Sequence, residues 1–178
     1  VVIADKGDLW VYRRDELDVE RQFSQDPSRR LFSVRPRPGA GERLPSGRRA
    51  LPLLRAHELV GSAAVLNGIS ARVLHDTVAY AKERQQFDRV IGSFQGVKHL
   101  LADVASKVDL ATTAARAAAT EISRNDPPLH VAELARVVAA DAARTANKVA
   151  LQVHGGIGFT FEHDLQLWLK RGKALELD

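Results

Sequence analysis

Residues 52–84 run PLLRAHELVGSAAVLNGISARVLHDTVAYAKER, and in this stretch Leu59, Ala63, Leu66, Ile69, Val73 and the Ala79-Tyr80 pair recur at intervals of three and four. That is the period of one buried helix face, so a single long helix is expected from about Pro52 to Arg84. A short break at 87–92 precedes a second periodic stretch, 94–123, with Val97, Leu100, Leu101, Val104, Val108 and Ala111 on one stripe. At about 1.5 Å per residue this helix spans roughly 45 Å. Its alanines Ala114, Ala115, Ala117, Ala118 and Ala119 imply close helix approach at the centre of the fold. Pro127-Pro128 opens a third helix over 127–153, with Asp126 as its N-cap. Gly155, Gly156 and Gly158 stop it, and 162–173 form a fourth helix carrying Leu165, Leu167, Trp168 and Leu169. Short connections make neighbours antiparallel. The expected fold class is therefore mainly α: an antiparallel four-helix bundle over 50–178, preceded by a small β remnant over 1–49.

Upstream the pattern changes. Val1-Val2-Ile3-Ala4 and Leu9-Trp10-Val11-Tyr12 flank the turn residues Asp5-Lys6-Gly7-Asp8, which predicts a hairpin. Leu31-Phe32-Ser33-Val34, after the turn at Asp26-Pro27-Ser28, reads as one more short strand. Five of the seven prolines lie between residues 27 and 52, alongside Gly39, Gly41 and Gly47, so 36–50 is expected to be a linker or surface loop. The sequence has no methionine and opens inside a strand, which suggests a piece of a longer polypeptide.

With 178 residues, 45% of them hydrophobic, the chain can bury a sizeable core. No run of about 18 apolar residues appears and no signal-peptide pattern opens the chain, so a soluble cytoplasmic protein is expected. The absence of cysteine excludes disulfides, thiolate metal sites and cysteine nucleophiles. The net charge of +4 is concentrated in residues 1–50, where 11 basic and 8 acidic side chains are interleaved rather than blocked. Arg13-Arg14, Arg29-Arg30 and Arg48-Arg49 therefore read as solvated surface pairs, and no nucleic-acid partner is expected. His57, His75, His99, His130, His154 and His163 form no His-Glu-x-x-His or repeated Glu-x-x-His pattern, so no metal site is expected. Nor is there a Gly-x-Ser-x-Gly elbow or a Walker loop, and the Gly155-Gly156-Ile157-Gly158 cluster follows a helix rather than a strand.

Two segments are more specific. Tyr80-Ala81-Lys82-Glu83-Arg84-Gln85-Gln86-Phe87, continued by Ile91-Gly92-Ser93-Phe94-Gln95, resembles the signature that joins two long helices in the C-terminal domain of the acyl-CoA dehydrogenases. Gln152-Val153-His154-Gly155-Gly156-Ile157-Gly158-Phe159, with Asp164 and Lys170-Arg171 beyond it, resembles that family's second signature. The resemblance is strong over 50–178 and weaker over 1–49, where Asp26-Pro27-Ser28-Arg29-Arg30-Leu31 is similar to the end of the family's middle β-domain. The family's N-terminal helical domain is missing. The resemblance implies an oxidoreductase of fatty-acid or lipid degradation that converts an acyl-CoA thioester to the 2,3-enoyl-CoA. It implies FAD as cofactor, bound partly across a subunit interface in a homo- or hetero-oligomer of tetrameric type, with an electron-transferring flavoprotein as electron partner. Arg84 and Gln95 match residues that reach the FAD of a neighbouring subunit, a guanidinium being a permanent charge-assisted donor to a diphosphate. Phe87 matches an aromatic near the adenine. Gln152 and the Gly155-Gly156 pair match further contacts to the diphosphate and adenosine part, glycine permitting close backbone approach.

The implied chemistry needs a carboxylate to take the α-proton. Most of the family carries it in a turn after the Gly-Gly signature, and ungapped counting puts that position one residue beyond Asp178; Glu176 lies near it but off the count. A minority of the family uses a glutamate on the first long helix, 22 residues before the signature tyrosine, which is Glu58 here. Glu58 is thus the candidate base, and burial against flavin and thioester is expected to strengthen it. The sequence departs from the family at Asp88, where glycine is usual, and at Leu59, where several relatives have arginine. Aspartate tolerates positive φ better than most residues, so the turn can survive. Leu59 leaves open a non-catalytic subunit that completes another subunit's FAD site, and a flavin acyl-CoA oxidase of the same fold, marked by rapid oxygen consumption, is the remaining alternative.

Overall fold

The computed structural model describes residues 1–123 and 129–177. Four helices make up most of it: α1 (Gly47–Glu83), α2 (Gln95–Ile122), α3 (Leu129–His154) and α4 (Leu165–Leu177). Cross-helix contacts fix their directions. Gly92, just before α2, packs on Ala81 at the end of α1, and Asn67 Nδ2 of α1 donates to the Ala111 carbonyl midway along α2 at 2.9 Å, so α2 runs back along α1 and the two are antiparallel. Tyr80 near the end of α1 stacks on His154 at the end of α3. Arg144 of α3 pairs with Glu176 of α4, while Leu165 packs near His154, so α4 runs back along α3. The result is the expected antiparallel bundle.

The core is built on Leu59, Leu66, Ile69 and Val73 of α1 and Val104 and Val108 of α2. Each such side chain, fully buried, contributes about 1.5–3 kcal/mol. The α2 alanines divide by helical phase: Ala115 and Ala118 are buried, Ala114 is half-buried, and Ala117 and Ala119 face solvent. The close helix approach expected of that stripe holds at Ala115 and Ala118 and is more extensive in α3, whose Ala132, Ala135, Ala139, Ala142, Ala143, Ala146 and Ala150 are all buried. Proposed N-cap Asp126 and Pro127-Pro128 lie outside the described residues.

Before the bundle, β1 (Val2–Asp5) and β2 (Asp8–Val11) form the predicted hairpin, with Ile3 opposite Trp10. A strand that the sequence reading missed, β3 (Leu17–Gln22), pairs antiparallel with β4 (Leu31–Pro36), Val19 facing Val34. The 36–50 stretch is less of a loop than its prolines suggest: β5 (Glu42–Arg43) pairs with β2, and α1 already starts at Gly47. Tertiary contact overrides the prolines here. Leu44 N–H donates to the Leu9 carbonyl at 2.9 Å, and Gly47 packs so tightly on Leu9 that a Cβ would come within 2.8 Å of its backbone nitrogen. Pro52 is carried inside α1, where it forgoes one backbone hydrogen bond. At the other end α4 begins three residues later than expected, because the His163 Nδ1 accepts the Leu165 N–H at 3.1 Å and caps the helix there.

Candidate functional site

Arg84 ends α1. Its N–H donates to the Tyr80 carbonyl at 2.9 Å, and its own carbonyl accepts the Ile91 N–H at 2.8 Å, closing the connection to α2 into a tight loop. Within the loop β6 (Gln85–Gln86) and β7 (Arg89–Val90) pair around Phe87 and Asp88, whose φ angles are +55° and +63°. Asp88 thus keeps the left-handed turn in which the family prefers glycine. Phe87 pays for its position in backbone strain of order 1–3 kcal/mol and stands 85% exposed. Its ring meets Phe94 edge-on at 6.2 Å, and the Arg89 guanidinium lies 3.9 Å from the Phe94 centroid. Gly92 lets this loop close on α1, since a Cβ there would fall 2.8 Å from the Ala81 carbonyl oxygen. Gln95, the first residue of α2, is exposed.

The second segment lies at the end of α3. Gln152 is exposed on the last turns, and Gly155 leaves the helix at φ +63° into a 3-10 turn, Gly155–Phe159. A Cβ at Gly155 or Gly156 would meet nothing within 4 Å, so their backbone is open to an incoming group. Gln152 and Gly155 border a cleft of about 760 Å³ between α3 and α4, with Leu151, Asn147, Phe159 and Gly172.

Tyr80 and His154 bring the two segments to the same end of the bundle. Their rings stack at 4.4 Å and 23°, and the Tyr80 hydroxyl donates to the His154 carbonyl at 3.5 Å. Arg84, Phe87 and Gln95 follow Tyr80 in the chain, Gln152 stands two residues before His154, and Gly155 and Gly156 directly follow it. The Arg84 guanidinium and the Gln95 and Gln152 carboxamides have no hydrogen-bond partner among the described residues. One permanent cation, two carboxamides, an open glycine backbone and an exposed aromatic ring form a donor set suited to a dinucleotide with a diphosphate. FAD fits it.

Glu58 sits apart. It lies 26 residues before Arg84 on the same helix, about 39 Å along the axis. Its side chain is 60% exposed and is held by Arg55 Nη1 at 2.7 Å, so the burial expected around it is not found in this chain. It borders a cleft of about 320 Å³ with Arg29, Leu59, Arg136 and Leu175. This arginine surround was missed, although Arg55 stands one helical turn away and the spacing itself signals an ion pair. Also missed was a buried pair that ties the β portion to the bundle: Asp26 Oδ2 accepts from Arg171 Nη1 at 3.2 Å, and Asp26 Oδ1 accepts from the Ser28 N–H and hydroxyl.

Two titratable groups near these features are shifted. Burial pushes the His154 imidazole below the ordinary histidine value, the bond to the Ala150 carbonyl and the charge of Asp76 oppose this, and His163 adds to it. Burial would raise the Asp26 carboxyl, but Ser28 and Arg171 outweigh it and hold the group below the usual aspartate range.

The family model of the acyl-CoA dehydrogenase C-terminal domain matches residues 55–177. Acyl-CoA dehydrogenase IpdE2 of Mycolicibacterium smegmatis is 38% identical over 174 residues, which cover 96% of this chain and 51% of that protein. Among solved structures, a variant of the Tcur3481-Tcur3483 steroid ACAD superposes with a TM-score of 0.87 at 25% identity, over 94% of this chain and 46% of that one. The ChsE4-ChsE5 complex from Mycobacterium tuberculosis superposes with a TM-score of 0.86 at 24% identity, over 99% and 50%. The chain spans about half the length of the curated relatives it matches most fully.

Proposed function

The chain belongs to the acyl-CoA dehydrogenase family, and from that premise we propose that it is part of an FAD-dependent subunit that dehydrogenates an acyl-CoA thioester to the 2,3-enoyl-CoA. The observation that supports the reading is the Tyr80–His154 contact, which joins the segment carrying Arg84, Phe87 and Gln95 to the one carrying Gln152, Gly155 and Gly156 at one end of the bundle. In this reading the Arg84 guanidinium neutralises a diphosphate oxygen, and the backbone at Gly155 and Gly156 approaches the same group without steric hindrance. Phe87 offers its face to the adenine, and Gln95 and Gln152 donate from their carboxamides. Bound FAD supplies the acceptor for the hydride equivalent from the β-carbon. Glu58 takes the α-proton on its carboxylate, for which Arg55 must swing away. Because the dinucleotide contacts are exposed and far from Glu58, they serve a neighbouring subunit's flavin, and the working unit is an oligomer. Residues 1–49 then close a β-domain and residues 50–178 form the helical domain. Electron-transferring flavoprotein is the proposed electron partner.

A second reading has its own support. Glu58 is exposed and paired with Arg55, and Leu59 stands where several relatives place arginine. A complex of two partners such as ChsE4-ChsE5 suggests a mixed assembly in which this subunit completes its partner's flavin site without performing chemistry. Glu58→Gln in the assembled, flavin-loaded protein separates the two. Loss of a positioned base costs about 100–10,000-fold in dehydrogenation rate at unchanged flavin content. An unchanged rate removes Glu58 from the chemistry and leaves the partner-subunit reading.

A further inference from the structure

We propose that His154 is a positioning residue for the 155–158 turn, holding it as the neutral Nδ1–H imidazole and releasing it when a second proton reaches Nε2. The functional consequence rests on the dinucleotide reading above; the geometry does not.

His154 is the last residue of α3 and is 5% exposed. Its Nδ1 lies 2.8 Å from the Ala150 carbonyl oxygen, which can only accept, so Nδ1 carries the proton. In the neutral ring Nε2 is then a bare lone pair, and it is buried with no hydrogen-bond partner among the described residues. The ring is packed on several sides. Tyr80 stacks on one face, His163 meets it edge-on with centroids 4.7 Å apart, and a Cβ added to Gly158 would come within 3.0 Å of the His154 Cβ. Gly155 turns out of the helix immediately after it, and the turn comes back so that Gly158 rests on the His154 Cβ and on Leu165. A ring that swings out of its packing about that Cβ disturbs the seat of the turn.

The neighbours decide what a proton does there. From α1 the ring faces Tyr80 and Asp76, and Asp76 is already engaged by Arg72 at 2.7 Å. From the segment before α4 it faces His163, whose Nδ1 is occupied in capping α4 and whose neutral form therefore keeps its proton on Nε2. Asp164, next in sequence, acts on Arg72. A proton added to His154 Nε2 thus meets no acceptor and a second imidazole at close range. Asp76 favours the charged ring, but burial and His163 prevail. The sign follows. With its folded-state value depressed, His154 contributes stability above the ordinary histidine value and loses it as pH falls toward the folded one, where a ring turned out to solvent binds the proton better.

The test uses the ¹⁵N-labelled 178-residue chain, following imidazole nitrogens and the Gly155 and Gly156 amides by NMR from neutral pH downward through the ordinary histidine value until the His154 nitrogens stop shifting. His154 is expected as the Nδ1–H tautomer at neutral pH, with both glycine amides shifting at the His154 midpoint. In His154→Phe, which fills the same space without titrating, those amides are expected to stay flat. An Nε2–H tautomer, or glycine amides indifferent to the titration, overturns the proposal, and the wild-type titration decides even if the variant fails to fold. In flavin-loaded protein the release of flavin at the His154 midpoint relative to neutral pH is expected to rise roughly fivefold, and less than about twofold in His154→Phe. Equal acid release from both overturns the link to the cofactor. A protein that holds no flavin at either pH refutes the dinucleotide reading instead, and the glycine amides then judge the role of His154 alone.

Discussion

Asp26 is 2% exposed and ionically paired. Its two oxygens accept from Ser28 and Arg171, across 145 positions of sequence in the second case. Removing the charge leaves a guanidinium facing an amide, so Asp26→Asn is expected to lower stability by about 2–3 kcal/mol at neutral pH, read from urea unfolding. The pH dependence has a definite sign. The carboxyl is held below its ordinary value when folded, so its contribution is full above the ordinary aspartate value and disappears as pH falls through the folded one. Asp26→Asn should flatten that acid limb. Matching unfolding midpoints for variant and wild type at neutral pH would show that the pair contributes nothing. Asp88 makes a smaller, opposite case. At φ +63° it bears a conformational cost that glycine avoids, and Asp88→Gly is expected to gain about 0.5–1 kcal/mol in the same assay. A loss in that variant would mean the Asp88 side chain holds the turn by a contact of its own.

Among the elements, α3 shows what small side chains achieve. Its buried alanines allow α1 and α2 to approach it closely, so added volume has nowhere to go. Ala139→Leu, at a fully buried position, is expected to cost about 1–3 kcal/mol by overpacking, whereas Ala119→Leu on the exposed face of α2 changes unfolding by less than about 0.5 kcal/mol. Equal effects would contradict the packing described. This contrast also marks the limits of reading the sequence. The three-and-four spacing in 52–84 and 94–123 located α1 and α2 because large apolar residues advertise their face. Alanine does not: it is the strongest helix former on any face, so Ala117 and Ala119 read like their buried neighbours and the α3 face carries no distinct signal. β3 was invisible for a related reason. In LDVERQ the charged residues fall on both faces, Arg21 on that of Leu17 and Val19, so only those two signal a strand. The two signature segments were legible because their residue types are unusual for plain helix ends. The Arg55 contact to Glu58 is local and has a spacing cue one helical turn long, whereas the Asp26–Arg171 pair is a product of tertiary placement and has none.

Over the whole molecule, β portion and bundle are joined by the Asp26–Arg171 pair and by Gly47 packed on Leu9, so the proposed flavin contacts are carried on a scaffold with few joints. Yet the contacts themselves open outward. Phe87, Arg84, Gln95, Gln152 and Gly156 are all exposed, and tight binding of a dinucleotide needs most of its surface enclosed. One chain of this length presents a single wall. The 178-residue chain alone is therefore expected to bind FAD no more tightly than roughly 10–100 μM, the range left when one face of a site provides only a charged contact and one aromatic surface. Equilibrium dialysis or flavin fluorescence measures this directly. Arg84→Ala should weaken the residual binding by about tenfold or more, because the guanidinium is the permanent cation of the proposed set. Binding that survives Arg84→Ala unchanged, or that localises to the 320 Å³ cleft beside Glu58 instead, would move the cofactor to the other end of the bundle and undo the functional reading.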